Sequence, residues 1–305
     1  MTTALPATAT PATDRPPRGA RGLTWTVLRL HRSALIFWCL AVAAATGVLI
    51  WMYAIGDEAR RGVGGCAEPV AVDGLPSCRA MEAVTADDTY RTFIALIAGA
   101  LSYAIFAVAA WAGGALIGRE LESGTAKLAW TQSVTPARWL AAKLAVPAVL
   151  LTAGTGAVTL LGLWARGDDD PNLVGDWYYP DVFLSTGPTA VAYPLAGLAL
   201  GALAGLLLRR ALPAAGVGFG AALVLYNVLE RYRWEFWPTV TRAEAGGFEL
   251  PRSAWQLGWA DSLTRATFHP HSHFWPLQYV ETCLVLTVAA VATLAAFWLL
   301  RRRTT

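Results

Sequence analysis

Residues 33–56 read SALIFWCLAVAAATGVLIWMYAIG, an unbroken run between Arg32 and Asp57 with no charged side chain. About 20 residues at 1.5 Å rise cross the hydrocarbon of a bilayer, so the run is long enough to span it as a helix. The run begins after basic residues, and Ala43-Ala44-Ala45 resembles a signal-peptide cleavage site. The apolar stretch continues through Gly47-Val48-Leu49-Ile50-Trp51-Met52-Tyr53, beyond the length of a signal core, so the helix is expected to be retained.

Working outward, five more charge-free windows appear. They lie between Arg91 and Arg119, Lys143 and Arg166, Asp181 and Arg209, Arg210 and Glu230, and Glu281 and Arg301. The fourth opens with polar residues and Pro188, so its helix is expected to begin near Thr189. The last two are short and are expected to sit with little tilt. Composition agrees: of 305 residues 55% are hydrophobic and only 15% charged, against about 25% in a soluble domain. The mean hydropathy is +0.44. A net charge of +3 with no basic block gives no sign of a nucleic-acid partner. The expected fold is an all-α polytopic membrane protein with six transmembrane helices. An N-terminal interfacial helix and a large extracellular segment before the last helix complete it.

Orientation follows from Lys and Arg placement. With both termini cytoplasmic, the inner segments hold 14 of the 24 basic residues. The outer segments 57–91 and 166–181 then carry an excess of acids. Cys66 and Cys78 fall in the first outer segment, where an oxidising compartment would allow a bridge that stabilises by about 3 kcal/mol. A disulfide is the expectation, with two free thiols as the alternative. Cys39 and Cys283 lie within helices.

Residues 1–20 are rich in Thr, Ala and Pro, the composition of a disordered cytoplasmic tail. In the following segment Leu23, Val27, Leu30 and Ala34 share one helical face, with Arg21, Arg29 and Arg32 opposite. That pattern suits an interfacial helix with arginines among lipid phosphates, or equally an extension of the first span. Gly197, Gly201 and Gly205 recur every four residues, a small-residue face that lets another helix pack closely. Residues 230–278 form the longest loop and are full of Trp and Phe, which favour the membrane boundary. Short interfacial or re-entrant helices are expected there, with Leu229–Trp237 as a candidate.

Motifs for chemistry are sparse. There is no phosphate-binding Gly-x4-Gly-Lys-Ser/Thr, no His-Glu-x-x-His and no Gly-x-Ser-x-Gly. Asp168, Asp170 and Asn172 start like a calcium loop, but Leu173 and Tyr179 replace its Gly and Glu. His269, His271 and His273 alternate and would converge on a metal in an extended strand, although Pro270 favours a boundary loop. No metal site and no cofactor on this chain are expected. The six windows contain no Asp, Glu, Lys or Arg, whereas ion-coupled transporters bury such groups along their path. Any motive force is therefore expected to come from another subunit.

The segment after the second window reads GRELESGTAKLAWTQSVTPARWLAAK over residues 118–143. Acids precede a Gly-Thr pair, an amphipathic turn follows, and Thr135-Pro136 opens the next helix as cap and first residue. Read physically, this is an ordinary positive-inside loop or a docking surface. Its order of Glu120, Glu122, Gly124, Thr125, Thr131, Pro136, Arg138 and Lys143 resembles the cytoplasmic coupling segment of ABC-2 type exporter permeases, and its wording is similar to an actinobacterial branch of them.

The resemblance implies that residues 21–305 form a six-helix permease domain in the cell membrane. It implies a separate ABC ATPase subunit holding ATP and Mg, and a second permease copy in a homodimer. The eight residues above would couple ATP hydrolysis to export, with membrane lipid around the helices and no catalysis on this chain. Two other functions stay open from the sequence: a metal-dependent membrane enzyme using the outer histidines, and a membrane sensor or scaffold.

Overall fold

The computed structural model describes residues 20–65, 81–132, 134–167, 170–244, 249–260 and 265–304. The tail before residue 20, Cys66, Cys78 and Asp168 lie outside these residues. Helix α1 (Ala20–Leu30) meets α2 (Arg32–Gly65) at His31. The main-chain ladder runs on from His31 N to Val27 O and from Leu35 N to His31 O. Next come α3 (Met81–Trp111), a π-helical stretch (Ala112–Gly118), α4 (Arg119–Glu122) and α5 (Thr125–Thr131). Helix α6 (Pro136–Arg166) is followed by the short α7 (Pro171–Val174) and α8 (Pro180–Ser185). The remaining helices are α9 (Thr189–Leu208), α10 (Ala211–Tyr232) and α11 (Phe274–Thr304).

Among the described residues six helical runs are long and apolar enough to cross a membrane: 32–61, 86–122, 136–166, 189–208, 211–235 and 271–304. Their ends follow from local chemistry. Thr135 caps α6, its Oγ1 accepting from Arg138 N at 3.3 Å, and Pro136 occupies the first turn, where no N–H is needed. Gly167 ends α6 at φ 61, and Arg209 ends α9 at φ 54. The last two spans are longer than their uncharged windows. Helix α11 has 31 residues and starts seven residues before Glu281, and α10 runs on past Glu230 into a 3-10 turn at Arg233–Glu235. A helix does not stop at a charge when another chain segment supplies its partner, so the expectation that these two spans are short fails here.

Helix α9 is the axle of the bundle, packing against α3, α6, α10 and α11. It is apolar all round, as a helix enclosed on every side must be. Its glycines set the spacing. A Cβ on Gly197 would sit 2.5 Å from Ile105 O, on Gly201 2.2 Å from Ala109 O, and on Gly205 2.7 Å from Ile117 Cβ. The π-helical stretch fits the same way, since a Cβ on Gly113 would lie 2.5 Å from Ala214 O.

Between α10 and α11 the chain forms a three-stranded antiparallel sheet rather than the expected interfacial helices. Strands β1 (Val240–Ala243) and β2 (Trp255–Ala260) flank β3 (Arg265–His269), with Val240 opposite Phe268 and Trp255 opposite His269. Alternation along β3 is the cause: Ala266 and Phe268 turn inward onto Ala254 while Arg265 points out. Leu229–Trp237 forms no separate helix; it is the end of α10 and its 3-10 turn. Residues 20–31, the α4–α5 hairpin, the α9–α10 turn and the end of α11 share one end of the bundle, called the terminal face below. The sheet, α7 and α8 lie at the other end, the sheet face.

Candidate functional site

At the terminal face the span that begins with α3 ends in a tight reversal. Gly124 takes φ 75, a backbone region that other residues enter at a cost, with no atom near where a Cβ would stand. Thr125 Oγ1 donates to Glu120 O at 3.3 Å and lies 3.0 Å from Ser123 Oγ, which closes the turn. Helix α5 then lies across the face with Ala126 buried beneath it, Lys127 exposed and Leu128 61% exposed. Trp130 meets Trp139 edge-on at 5.8 Å, anchoring α5 to α6. Thr131 Oγ1 donates to Leu128 O at 2.8 Å, tightening the last turn.

Beneath this hairpin Glu120 is buried and ion-paired with Lys143. Its second oxygen accepts from Trp139 Nε1 at 3.1 Å. Lys143 Nζ also donates to His31 Nε2 at 2.9 Å. Burial, and next the charge of Lys143, lower the His31 pKa to about 4, so its imidazole is neutral near pH 7 and free to accept that proton. Glu122 is exposed, and its Oε2 accepts from Ala211 N at 2.9 Å, meeting an orphan donor at the start of α10. Of the eight residues singled out in the sequence, Glu120, Lys143 and Thr125 form one cluster. Thr131, Pro136 and Arg138 shape the hairpin around it. Glu120 faces inward and is no part of the exposed surface. Trp139 and His31 were not legible as members: Trp139 stands four residues before Lys143 on one helix face, but nothing local points to His31, 112 positions from Lys143.

The sheet face holds a second buried cluster. Arg233 Nε and Nη2 donate to Glu281 Oε2 and Oε1 at 2.7 and 3.0 Å. Tyr193 OH donates to Glu281 Oε1 at 2.6 Å, and the Arg233 guanidinium lies 4.5 Å from the Phe183 ring centroid. One turn back, Gln278 donates to Phe183 O at 2.5 Å and accepts from Thr189 Oγ1 at 2.9 Å. Charge is therefore present inside the bundle, although none of it lies within the uncharged windows. It is paired across helices, so the windows did not reveal it.

The histidines are divided between elements, with His269 on β3 and His271 and His273 in a 3-10 turn. His269 lies with Nε2 2.9 Å from Trp234 O and Nδ1 3.0 Å from His273 Nδ1. Burial lowers the His269 pKa, partly offset by the Trp234 carbonyl. His271 stacks on Phe274 instead. Among the described residues no group of three or more His, Cys, Asp or Glu is placed to hold a metal ion. Asp170 caps α7 through Asn172 N at 2.9 Å, a structural use of that acidic loop. Cys39 and Cys283 are free thiols on exposed helix surfaces.

Six apolar spans, one of them a glycine-faced central helix, with a braced hairpin at one end, define a polytopic helical membrane domain. Residues 37–233 match the model of a family described as ABC-2 membrane transporter related. The chain belongs to that family, and with it to the multi-pass permeases of ABC transporters, membrane subunits whose partner is an ABC ATPase. The match runs from α2 to the end of α10 and leaves the sheet and α11 outside it. No curated protein and no solved structure matches the chain.

Proposed function

We propose that this protein is the membrane subunit of an ATP-driven exporter in the cell membrane, with both termini cytoplasmic. The α4–α5 hairpin docks on a separate ATPase, which holds the ATP and Mg, and two copies of the permease work together. The observation that carries this reading is the build of the hairpin: an exposed helix whose supporting turn is ion-paired through Glu120 to Lys143 of α6. A push on α5 reaches a membrane span through a short rigid path, and differential contacts of this kind are what a two-state transport cycle requires. Arg138 and Lys143 belong to the same lever, while Gly124 and Thr125 hold its turn. Pairing of two permeases is supported by Gly216 and Gly220 on α10, where added Cβ atoms would meet nothing within 4 Å. This is a small-residue face that no helix of the described chain covers.

The docking surface on this reading is Lys127, Leu128 and Thr131, since Glu120 is occupied internally. Lys127→Glu with Leu128→Glu should abolish co-purification with the partner ABC ATPase, while the variant still inserts and stays monodisperse in detergent. Undiminished co-purification and transport by that variant would overturn the assignment.

A further inference from the structure

At the sheet face a cavity of about 510 Å³ lies between the end of α6, α7, α8 and the start of α11. The volume is within the range of small-molecule sites. Part of its wall is aromatic. Trp177, His271, Phe274 and Trp275 all line it, and Trp177 meets His271 edge-on at 5.9 Å and Phe274 at 6.0 Å. Trp177 is held in place by its Nε1, which donates to Ser253 O at 2.7 Å. His271 and Ser253 are exposed and Trp275 is 49% exposed, so the cavity is reached from the surface on that side.

The opposite chemistry comes from one carboxylate. Helix α7 ends at Gly175 with φ 82, where a Cβ would stand 3.1 Å from the Val182 side chain, and the turn places the next residue, Asp176, in the cavity wall. Asp176 is 9% exposed. Its Oδ2 accepts from Tyr178 OH at 3.2 Å, whereas its Oδ1 is buried and has no hydrogen-bond partner among the described residues. Buried carboxylate oxygens are nearly always met by a donor, because an unmet one has lost its hydration without return. Rotation about the last torsion of an Asp is soft, so the carboxylate can turn this oxygen toward a donor in the cavity. Arg166 also lines the cavity; it donates to Ser185 Oγ at 3.3 Å and does not meet Oδ1. A carboxylate short of one N–H, in a wall shared with aromatic rings, is complementary to an ammonium group: ring faces attract the charge and the oxygen accepts from it.

We propose that this cavity binds an alkylammonium group that still carries N–H, donating to Asp176, with the Trp177 and Trp275 rings against its methylenes. The carrier is a soluble amine or the ethanolamine headgroup of a lipid, since the cavity lies where α6 and α11 end at the sheet face. The site goes beyond the export reading and does not depend on it.

The test is equilibrium dialysis of radiolabelled phenethylamine against the full-length chain in an uncharged maltoside detergent, with protein-free micelles as the blank. One saturable site per chain is expected. Asp176→Asn should weaken binding roughly tenfold or more, through loss of a charge-assisted hydrogen bond. Trp275→Ala should weaken it roughly threefold. Ser253→Trp, which fills the cavity from its exposed side, should remove it. These last two positions are on the surface, so unchanged thermal unfolding keeps them informative even where Asp176→Asn fails to fold. N,N,N-trimethylphenethylammonium, which has the charge and the ring but no N–H, should bind roughly tenfold more weakly. Displacement of the probe by phosphatidylethanolamine assigns the site to the headgroup, and displacement by ethanolamine alone assigns it to a soluble amine. No saturable binding to the wild-type chain overturns the proposal, as does undiminished binding to Ser253→Trp or equal affinity for the trimethylated probe. Neither ATP nor an ATPase takes part in the assay, so failure of the export reading leaves its outcome unaffected.

Discussion

The two buried ion pairs at opposite ends of the bundle use the same chemistry in different settings. Arg233 and Glu281 are 2% and 0% exposed, the contact is two-pronged, and Tyr193 donates to one of the same carboxylate oxygens. That cluster ties α9, the end of α10 and α11 into one unit. Glu120 and Lys143 sit under a short hairpin, and their outer partners, Trp139 and His31, come from α6 and the junction of α1 with α2. Lys143 has a neutral imidazole as its last neighbour. A fully enclosed, two-pronged pair resists rearrangement, because breaking it strands charge where water cannot reach. A pair at the edge of a hairpin, bonded to a helix that has one face open to lipid, is cheaper to disturb. The comparison places the more completely enclosed pair at the sheet face and the less enclosed one at the terminal face.

The largest effect should come from breaking the enclosed pair. Arg233→Met alone should destabilise the protein by about 3–5 kcal/mol, because it leaves Glu281 buried without its partner. Adding Glu281→Leu should restore most of the loss, read as the apparent Tm in detergent. If the double variant is no better than the single one, the pair is not what holds that end.

Glu120→Ala should cost less, about 2 kcal/mol, since the Lys143 left behind keeps its hydrogen bond to His31. Its effect on ATPase stimulation by the permease should exceed its effect on Tm. Equal Tm losses from Glu120→Ala and Arg233→Met would erase the distinction between the two ends.

The smallest effect is a pH dependence confined to the terminal face. The His31 pKa in the folded protein is about 4, below its ordinary 6.5, so the undocked state binds the proton more readily. The contribution of His31 to docking is complete above about pH 6.5 and is lost as the pH falls toward 4. The charge facing His31 is Lys143, with Glu120 behind it and the Trp111 ring at its side. Hydrogen exchange should therefore show the amides of α1 losing protection by roughly threefold to tenfold per pH unit in that interval. Amides around Arg233 and Glu281 should change little. Parallel loss at both ends would place the sensitivity elsewhere.

Much of the fold was legible. The six windows located every span, Thr135-Pro136 marked the start of α6, and Gly197, Gly201 and Gly205 marked the face that α3 approaches. The sheet was missed because aromatic residues at a membrane boundary and aromatic residues in a strand look alike until the alternation is given weight. Arg265, Ala266, Thr267 and Phe268 carried that alternation. At the hairpin the composition was visible and the direction of Glu120 was not.

The sequence by itself determined how many times the chain crosses the membrane, where the hairpin falls and how its helices begin. Each of those depends on hydropathy, backbone caps and turn residues within a few positions of one another. Only the tertiary structure decided which charges are enclosed and with whom. Arg233 meets Glu281 across 48 positions, and Lys143 meets His31 across 112. The cost of burying a charge is set by the partner that arrives in space, and no local window contains that partner.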